Sequence, residues 1–253
     1  MTLAQTPAAT PGGADFPFYN GRPLALGAGR WCVLLLGAAL GFAALYLPMP
    51  AAWGAWGAVV PAILFPLVPL LALRAVAGPH WQVLFRRVGW RDVGLALGVA
   101  LLNIAVTVLV ALLVNRLFGE GTSNPAFGAL GRMDTGERMA FFARTIPQLI
   151  GEEIITVLPF LAVLAWLSGP LGLGRGQAIV GAWLVSALIF GALHLPTYGW
   201  NVAQCLLVIG SARLVLLLAY LRTKSLAVSA MAHIANDWLL FAGGLVLGTA
   251  VGA

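Results

Sequence analysis

Seven stretches of about 20 predominantly apolar residues, parted by short polar connections, restrict this chain to very few kinds of fold. They run roughly over residues 30–48, 54–76, 93–116, 146–167, 178–194, 200–220 and 225–249. A helix of about 20 such residues crosses a hydrocarbon layer about 30 Å thick and satisfies its own backbone hydrogen bonds on the way. With 61% hydrophobic and 9% charged residues among 253, the sequence carries more apolar surface than a water-soluble domain can bury. Spacing and composition together predict an all-α, polytopic membrane helix bundle of about seven transmembrane helices.

The connections carry the topological information. Trp31, Trp53, Trp81, Trp90, Trp183, Trp200 and Tyr220 fall near the expected span ends, where amphipathic rings favour the headgroup region. One side collects Arg22, Arg30, Arg86, Arg87, Arg91, Arg175, Arg222 and Lys224. The other holds Arg116, Arg132, Arg138 and Arg144, partly balanced by Glu120, Asp134 and Glu137. The bias favours a cytoplasmic N terminus and an external C terminus. A net charge of +6 could suggest nucleic acid, but these basic residues are scattered through connections, so membrane topology explains them and no nucleic-acid partner is expected. Residues 136–150 read as an amphipathic interfacial helix leading into the fourth span.

Residues 1–25 are expected to be a disordered or interfacial tail, with the Pro/aromatic segment Phe16 to Pro23 at the interface, and residues 26–253 form the transmembrane domain. Gly37 and Gly41, Gly94 and Gly98, and Gly244 and Gly248 are each spaced small-xxx-small, which marks helix-packing surfaces. The run GPLGLGRG at 169–176 lacks the Lys-Ser/Thr ending of a phosphate loop and reads as a turn. Cys32 and Cys205 are expected to be buried free thiols.

Ionisable groups inside the apolar stretches point to a buried polar site, since each costs roughly 2.5–3.5 kcal/mol near the bilayer centre. Glu152 and Glu153 lie in QLIGEEIITVLPFLAVLA. Neighbours differ by about 100° around a helix, so the two carboxylates face different surroundings and take different roles. The competing account is a helix starting at Gly151 with both acids complementing its dipole. His194 ends LVSALIFGALH, on the same face as Phe190 four residues earlier, and equally fits an interfacial histidine. His233 and Asp237 lie deep in SAMAHIANDWLLF at i, i+4 spacing, with Asn236 close to the same face. A carboxylate there can orient an imidazole, share a metal or water with it, or simply knit helices together. The zinc motif His-Glu-x-x-His, the nucleophile turn Gly-x-Ser-x-Gly and the aspartate motif Gly-x-Gly-Asp are all absent.

The series Glu-Glu, then Phe-x-x-x-His, then His-x-x-x-Asp resembles the signature of the CAAX protease and bacteriocin-processing family of intramembrane proteases, also called the Abi family. The matching positions are Glu152 and Glu153, Phe190 and His194, and His233 and Asp237, within a family-like core of about residues 146–240. The family's arginine, four residues after its second glutamate, falls here on Val157. Arg213 lies inside the sixth span, where an unpaired cation is costly, and is expected to pair with Glu153 instead.

The resemblance implies an intramembrane endopeptidase acting on a membrane-associated peptide or protein. It makes Glu152 the general base, has His194 position the water, and gives His233 and Asp237 the tetrahedral intermediate. Asp237 stands where the family has asparagine or aspartate, and an ionised carboxylate cannot donate to an oxyanion as asparagine can. It would orient His233, stay protonated, bind a metal or leave donation to Asn236. A Zn2+ site using His194, His233 and Glu152 is chemically reasonable, and a metal-free mechanism stands beside it. The alternatives are a catalytically silent scaffold or bacteriocin-immunity protein, favoured by the loss of arginine at Val157, and a proton or cation transporter, for which no inverted repeat is visible. Bacterial-looking text such as FGALHLPTYGWN places the chain in a bacterial cell membrane, among lipid, and favours peptide processing over prenyl-protein processing.

Overall fold

The computed structural model describes residue 24 and residues 26–251, so the tail expected over residues 1–25, including Phe16 to Pro23, falls almost entirely outside the described residues. The described chain is all helical. Its α-helices are α1 (Ala28–Ala44), α2 (Val59–Ala77), α3 (Trp90–Phe118), α4 (Pro125–Arg132), α5 (Thr135–Ser168), α6 (Arg175–Leu193), α7 (Gly210–Thr223) and α8 (Leu226–Val251). Tight 3-10 segments flank α2 at Ala51–Ala58 and Gly78–Leu84, and a π-helical turn, Gln204–Ile209, leads into α7.

Five of these helical units are long and apolar enough to cross a membrane by length and composition, and α1, at 17 residues, is a shorter apolar helix. The five are Ala51–Leu84, Trp90–Phe118, Thr135–Ser168, Arg175–Leu193 and Gln204–Thr223. All seven apolar stretches of the sequence are helical, with α8 occupying the seventh. The chain is a multi-pass membrane protein.

Local chemistry sets the helix starts. At α5, Asp134 accepts from the Glu137 N–H at 2.9 Å while Glu137 accepts from the Asp134 N–H at 3.0 Å, a reciprocal capping box. This start overturns the expected boundary at 146. The amphipathic segment 136–150 is no separate interfacial helix but the first turns of a continuous 34-residue α5. Pro147 and Pro159 lie within it, as proline can where neighbouring helices and side chains satisfy the freed backbone groups. Asn124 caps α4 from Ala126 N–H at 2.9 Å, with Pro125 at the first helical position. At α3, Asp92 accepts from the Gly89 N–H and pairs with Arg86 through both carboxylate oxygens.

α5 is the axis of the bundle. It packs against α1, α2, α6 and α8, and 61% of its most apolar window is buried, against 22% for α3. The main apolar core gathers Ile154, Leu158, Phe160, Leu161 and Leu164 of α5 with Leu34, Phe65, Leu73, Ala178, Leu217 and Tyr220. α3 lies outside and turns Leu101, Leu109, Leu112, Leu113 and Leu117 outward, as a lipid-facing helix does.

Two aromatic positions differ from expectation. Tyr220 is fully buried against Phe160, and Trp183 donates to the Leu214 carbonyl at 3.0 Å, so both tie helices together rather than mark an interface. Trp53, Trp90 and Trp200 are exposed as expected. Both cysteines are free, but only Cys205 is buried; Cys32, on α1, is exposed among the described residues.

Of the glycine pairs, Gly37 and Gly41 form a close-packed surface. A Cβ on Gly41 would lie 2.5 Å from the Phe65 carbonyl oxygen and 2.7 Å from Pro69 Cδ of α2. Gly94 and Gly98 have open space around them and make no such contact. Gly41→Ala is therefore expected to lower stability by about 1–3 kcal/mol, because backbone must move. Gly98→Ala is expected to be neutral or slightly stabilising. Thermal unfolding of the two variants in one detergent checks the contrast.

Candidate active site

The polar side chains singled out from the sequence converge on a cavity of about 460 Å³ between α3, α5, the α6–α7 connection, α7 and α8. Along α5 the lining residues are Phe141, Arg144, Thr145, Gln148, Leu149 and Glu152, a helical face with the 3–4 residue repeat. α8 faces it with His233, Asn236, Asp237, Leu240 and Phe241. The two helices run antiparallel: Glu153 meets Ser229 and His233, Thr145 accepts from Trp238 Nε1 at 3.0 Å, and Phe141 meets Phe241 at 5.1 Å between centroids.

The adjacent glutamates divide as the 100° rotation requires. Glu152 borders the cavity with its side chain 12% exposed, and Gln148 Nε2, one turn earlier, donates to it at 3.2 Å. Glu153 points away and is completely buried. Its Oε1 accepts from Arg213 Nη1 at 2.6 Å and from His233 Nδ1 at 2.8 Å, while Oε2 accepts from the Ser229 hydroxyl.

The expected exchange of arginines is present. Val157 is fully buried in the apolar core, with no room there for a guanidinium, and Arg213 of α7 supplies the cation from a neighbouring helix. Arg213 Nε and Nη2 find no hydrogen-bond partner among the described residues, and the guanidinium lies 5.0 Å from the Phe190 ring centroid. A cation buried this deeply is held by one strong ion pair and an aromatic face.

Phe190 explains the first half of the Phe-x-x-x-His pair. Besides Arg213, its ring contacts His194 at 4.5 Å and His233 at 6.3 Å between centroids, so the cation and both imidazoles share one aromatic surface. His194 forms the C-cap of α6, and its Nδ1 is 2.8 Å from the Phe190 carbonyl oxygen. A carbonyl can only accept, so Nδ1 carries the proton and Nε2 is free on the cavity side.

The same reasoning fixes His233. Nδ1–H donates to Glu153, which leaves Nε2 3.8 Å from Glu152 and 3.7 Å from Asp237. Asp237 in turn accepts from Asn236 Nδ2 at 2.9 Å, and Asn236 Oδ1 accepts from Asn103 Nδ2 of α3 at 3.0 Å. All eight residues expected at the site are thus in or directly behind one cavity.

The three side chains expected to offer a metal site border the same cavity. One imidazole nitrogen of each histidine is used on a protein acceptor, which leaves the other, Nε2, and His233 Nε2 is 3.8 Å from Glu152. Among the described residues no group of three or more His, Cys, Asp or Glu gathers as a metal-binding set.

Several members were not anticipated. Ser229, one turn before His233, was legible only as another polar residue among apolar ones. Asn103 sits in an apolar helix, where an uncompensated amide is expensive, with Thr107 one turn on lining the same cavity. Tyr198, whose oxygen accepts from Asn124 at 3.3 Å, and the strap formed by Gln204 and Thr122, paired by two 2.8 Å hydrogen bonds, come from connections with no motif. Tyr198 lies between spans, and burial pushes its phenol above the ordinary value, so it is a neutral hydroxyl at the cavity wall.

Residues 135–239 match the family model described as type II CAAX prenyl endopeptidase Rce1-like. No curated protein and no solved structure matches the chain. The matched span opens at the start of α5, carries both glutamates, both cavity histidines, Arg213, Asn236 and Asp237, and leaves outside it the cavity residues of α3, the 119–124 connection and α4, with Leu240 and Phe241 of α8. The region that builds this cavity is thus a domain of the Rce1-like type II CAAX prenyl endopeptidase family.

Proposed function

We propose that this protein is an intramembrane endopeptidase that hydrolyses a membrane-associated peptide or protein by glutamate-activated water. The observation that carries the reading is the division of labour between the glutamates. Glu153 is spent on locking Arg213, Ser229 and His233, while Glu152 is left bordering the cavity beside the free Nε2 of His233.

In this reading a water bound between Glu152 and the unprotonated Nε2 of His194 loses its proton to Glu152 as its oxygen attacks the scissile carbonyl. The carbonyl oxygen takes the electron pair and is met by Nε2–H of His233 in its imidazolium form, aimed by Glu153. Asp237, accepting from Asn236, keeps the imidazole oriented rather than donating to the oxyanion. Glu152 then returns the proton to the leaving amine. None of these steps requires a metal. The substitution at Val157, which favoured a silent scaffold, loses its force once Arg213 supplies the cation to Glu153.

The family match brings lipidated C-terminal segments as one substrate class and the bacterial-looking text brings processed peptides as another. Both present a peptide from the membrane. The test is cleavage of a membrane-peptide library by purified protein in nanodiscs, comparing wild type with His233→Ala, each with and without chelator. The expected result is product from wild type that chelator leaves unchanged and a loss of about 100-fold or more in the variant. Equal product from both proteins would overturn the reading.

A further inference from the structure

We propose that Asn103 of α3 is a positioning residue for the oxyanion end of the site: through Asn236 it holds the Asp237 carboxylate off His233 Nε2, so that this N–H stays free for the substrate. The inference rests on the endopeptidase reading of the cavity.

His233 Nε2 stands between two carboxylates, 3.8 Å from Glu152 and 3.7 Å from Asp237 Oδ1. It hydrogen-bonds to neither, since such a bond needs about 2.7–3.2 Å. The gap to Asp237 matters most. Residues four apart on a helix are neighbours on one face, and a carboxylate beside an imidazolium closes on it unless another donor holds it back. Once closed, it would spend Nε2–H inside the protein rather than on the developing oxyanion. Asp237 Oδ1, the oxygen that faces the ring, is also the one that accepts from Asn236 Nδ2 at 2.9 Å. Asn236 Oδ1 in turn accepts from Asn103 Nδ2 at 3.0 Å, its one donor among the described residues.

The polarity of this relay is set from its charged end. A carboxylate only accepts, so Asn236 turns Nδ2 toward Asp237 and Oδ1 toward Asn103, and Asn103 answers with Nδ2. A flip of Asn236 would set oxygen against oxygen at Asp237 and N–H against N–H at Asn103. Asn103 is 2% exposed, and its own Oδ1 has no partner among the described residues. An amide kept in an apolar helix with one polar atom unpaired is costly, and the hydrogen bond it does make is the one that leads to Asp237. Packing fixes the register: Ala96 and Val99 of α3 share an apolar cluster with Val228 and Ala232 of α8, and four residues beyond Val99 and Ala232 Asn103 meets Asn236. Asn103 lies outside residues 135–239, so a helix beyond the family-matched span governs the site's electrophilic end.

The experiment measures kcat and KM for a library peptide that wild type cleaves, using full-length protein in nanodiscs, with thermal unfolding alongside. Asn103→Leu is expected to lower kcat about 10- to 100-fold at unchanged KM, the scale of a small misplacement at the reacting atoms. Added to Asn236→Leu, which cuts the relay one link nearer, it is expected to change kcat less than about threefold. Added to Asp237→Asn it is expected to cost equally little, because a neutral amide does not close on the imidazolium. A residue that only supported the fold would lower kcat by the same factor in all three backgrounds, and that result would overturn the proposal. Wild-type kcat in Asn103→Leu, or a raised KM with kcat intact, would overturn it too. Should the leucine variant not fold, Asn103→Ala in the same backgrounds gives the decision by the same criteria. Each of these failures leaves the protease reading standing as long as His233→Ala abolishes the product. No product from wild type, or product that His233→Ala does not diminish, would overturn the endopeptidase reading itself.

Discussion

Arg213→Met is expected to destabilise the protein by about 3–5 kcal/mol, the largest single effect on stability of any substitution at this site. The magnitude follows from what remains. Glu153 is fully buried on α5, and without the guanidinium its charge keeps only Ser229 and His233 as partners. The cost is that of leaving a buried carboxylate undercompensated, not the net worth of the ion pair. The double variant Arg213→Met with Glu153→Gln is therefore expected to recover a large part of the loss, since both charges are removed together. Arg213→Lys is expected to rescue only partly, because an ammonium does not offer the planar face that lies against Phe190. Equilibrium unfolding of the four proteins in one detergent gives the coupling directly. Additive losses in the double variant would show that the two residues act independently.

That pair also marks how far the sequence carried. The cost of an unpaired cation in an apolar helix, set against an arginine missing at Val157, was enough to join residues 153 and 213 across two helices. The spans were legible for the same reason: lipid demands about 20 apolar residues in a row. Periodicity gave the faces of α5 and α8 too, since it is a local property. What stayed hidden was set by tertiary choice. Helix α5 runs unbroken from Thr135 because a capping box and a packed neighbourhood override the amphipathic break that its first turns display. Tyr220 has the composition of an interface anchor, and only packing against Phe160 puts it inside, while Trp183 is half-buried and tied to the Leu214 carbonyl. Asn103 joins the site through α3, where it and Thr107, four residues on, both line the cavity but match no motif. The donors expected to bind zinc were correctly placed in one cavity, yet which ring nitrogen faces it depends on Phe190 and Glu153 acceptors that no spacing rule reveals.

Glu152→Gln is expected to lower turnover by about 100- to 10,000-fold, the usual worth of a positioned general base. It should do so without a comparable loss of stability. The side chain borders the cavity and is held by one 3.2 Å hydrogen bond from Gln148, which a neutral amide oxygen accepts as well. Among the described residues its one ion-pair contact is with His233 Nε2, 3.8 Å away. Glu153→Gln presents the opposite balance: it loses the anion that neutralises Arg213 and aims His233, so stability and activity should fall together. The two substitutions are chemically identical and one residue apart, and only the helical rotation between them separates their consequences. Measuring turnover on a cleaved library peptide alongside unfolding for both variants tests the assignment. If Glu153→Gln left the fold intact and Glu152→Gln unfolded the protein, the roles given to the two carboxylates would have to be exchanged. If Glu152→Gln retained wild-type turnover, the base would have to be sought among the other acceptors at the cavity wall, of which Asp237, 3.7 Å from His233 Nε2, is next in line.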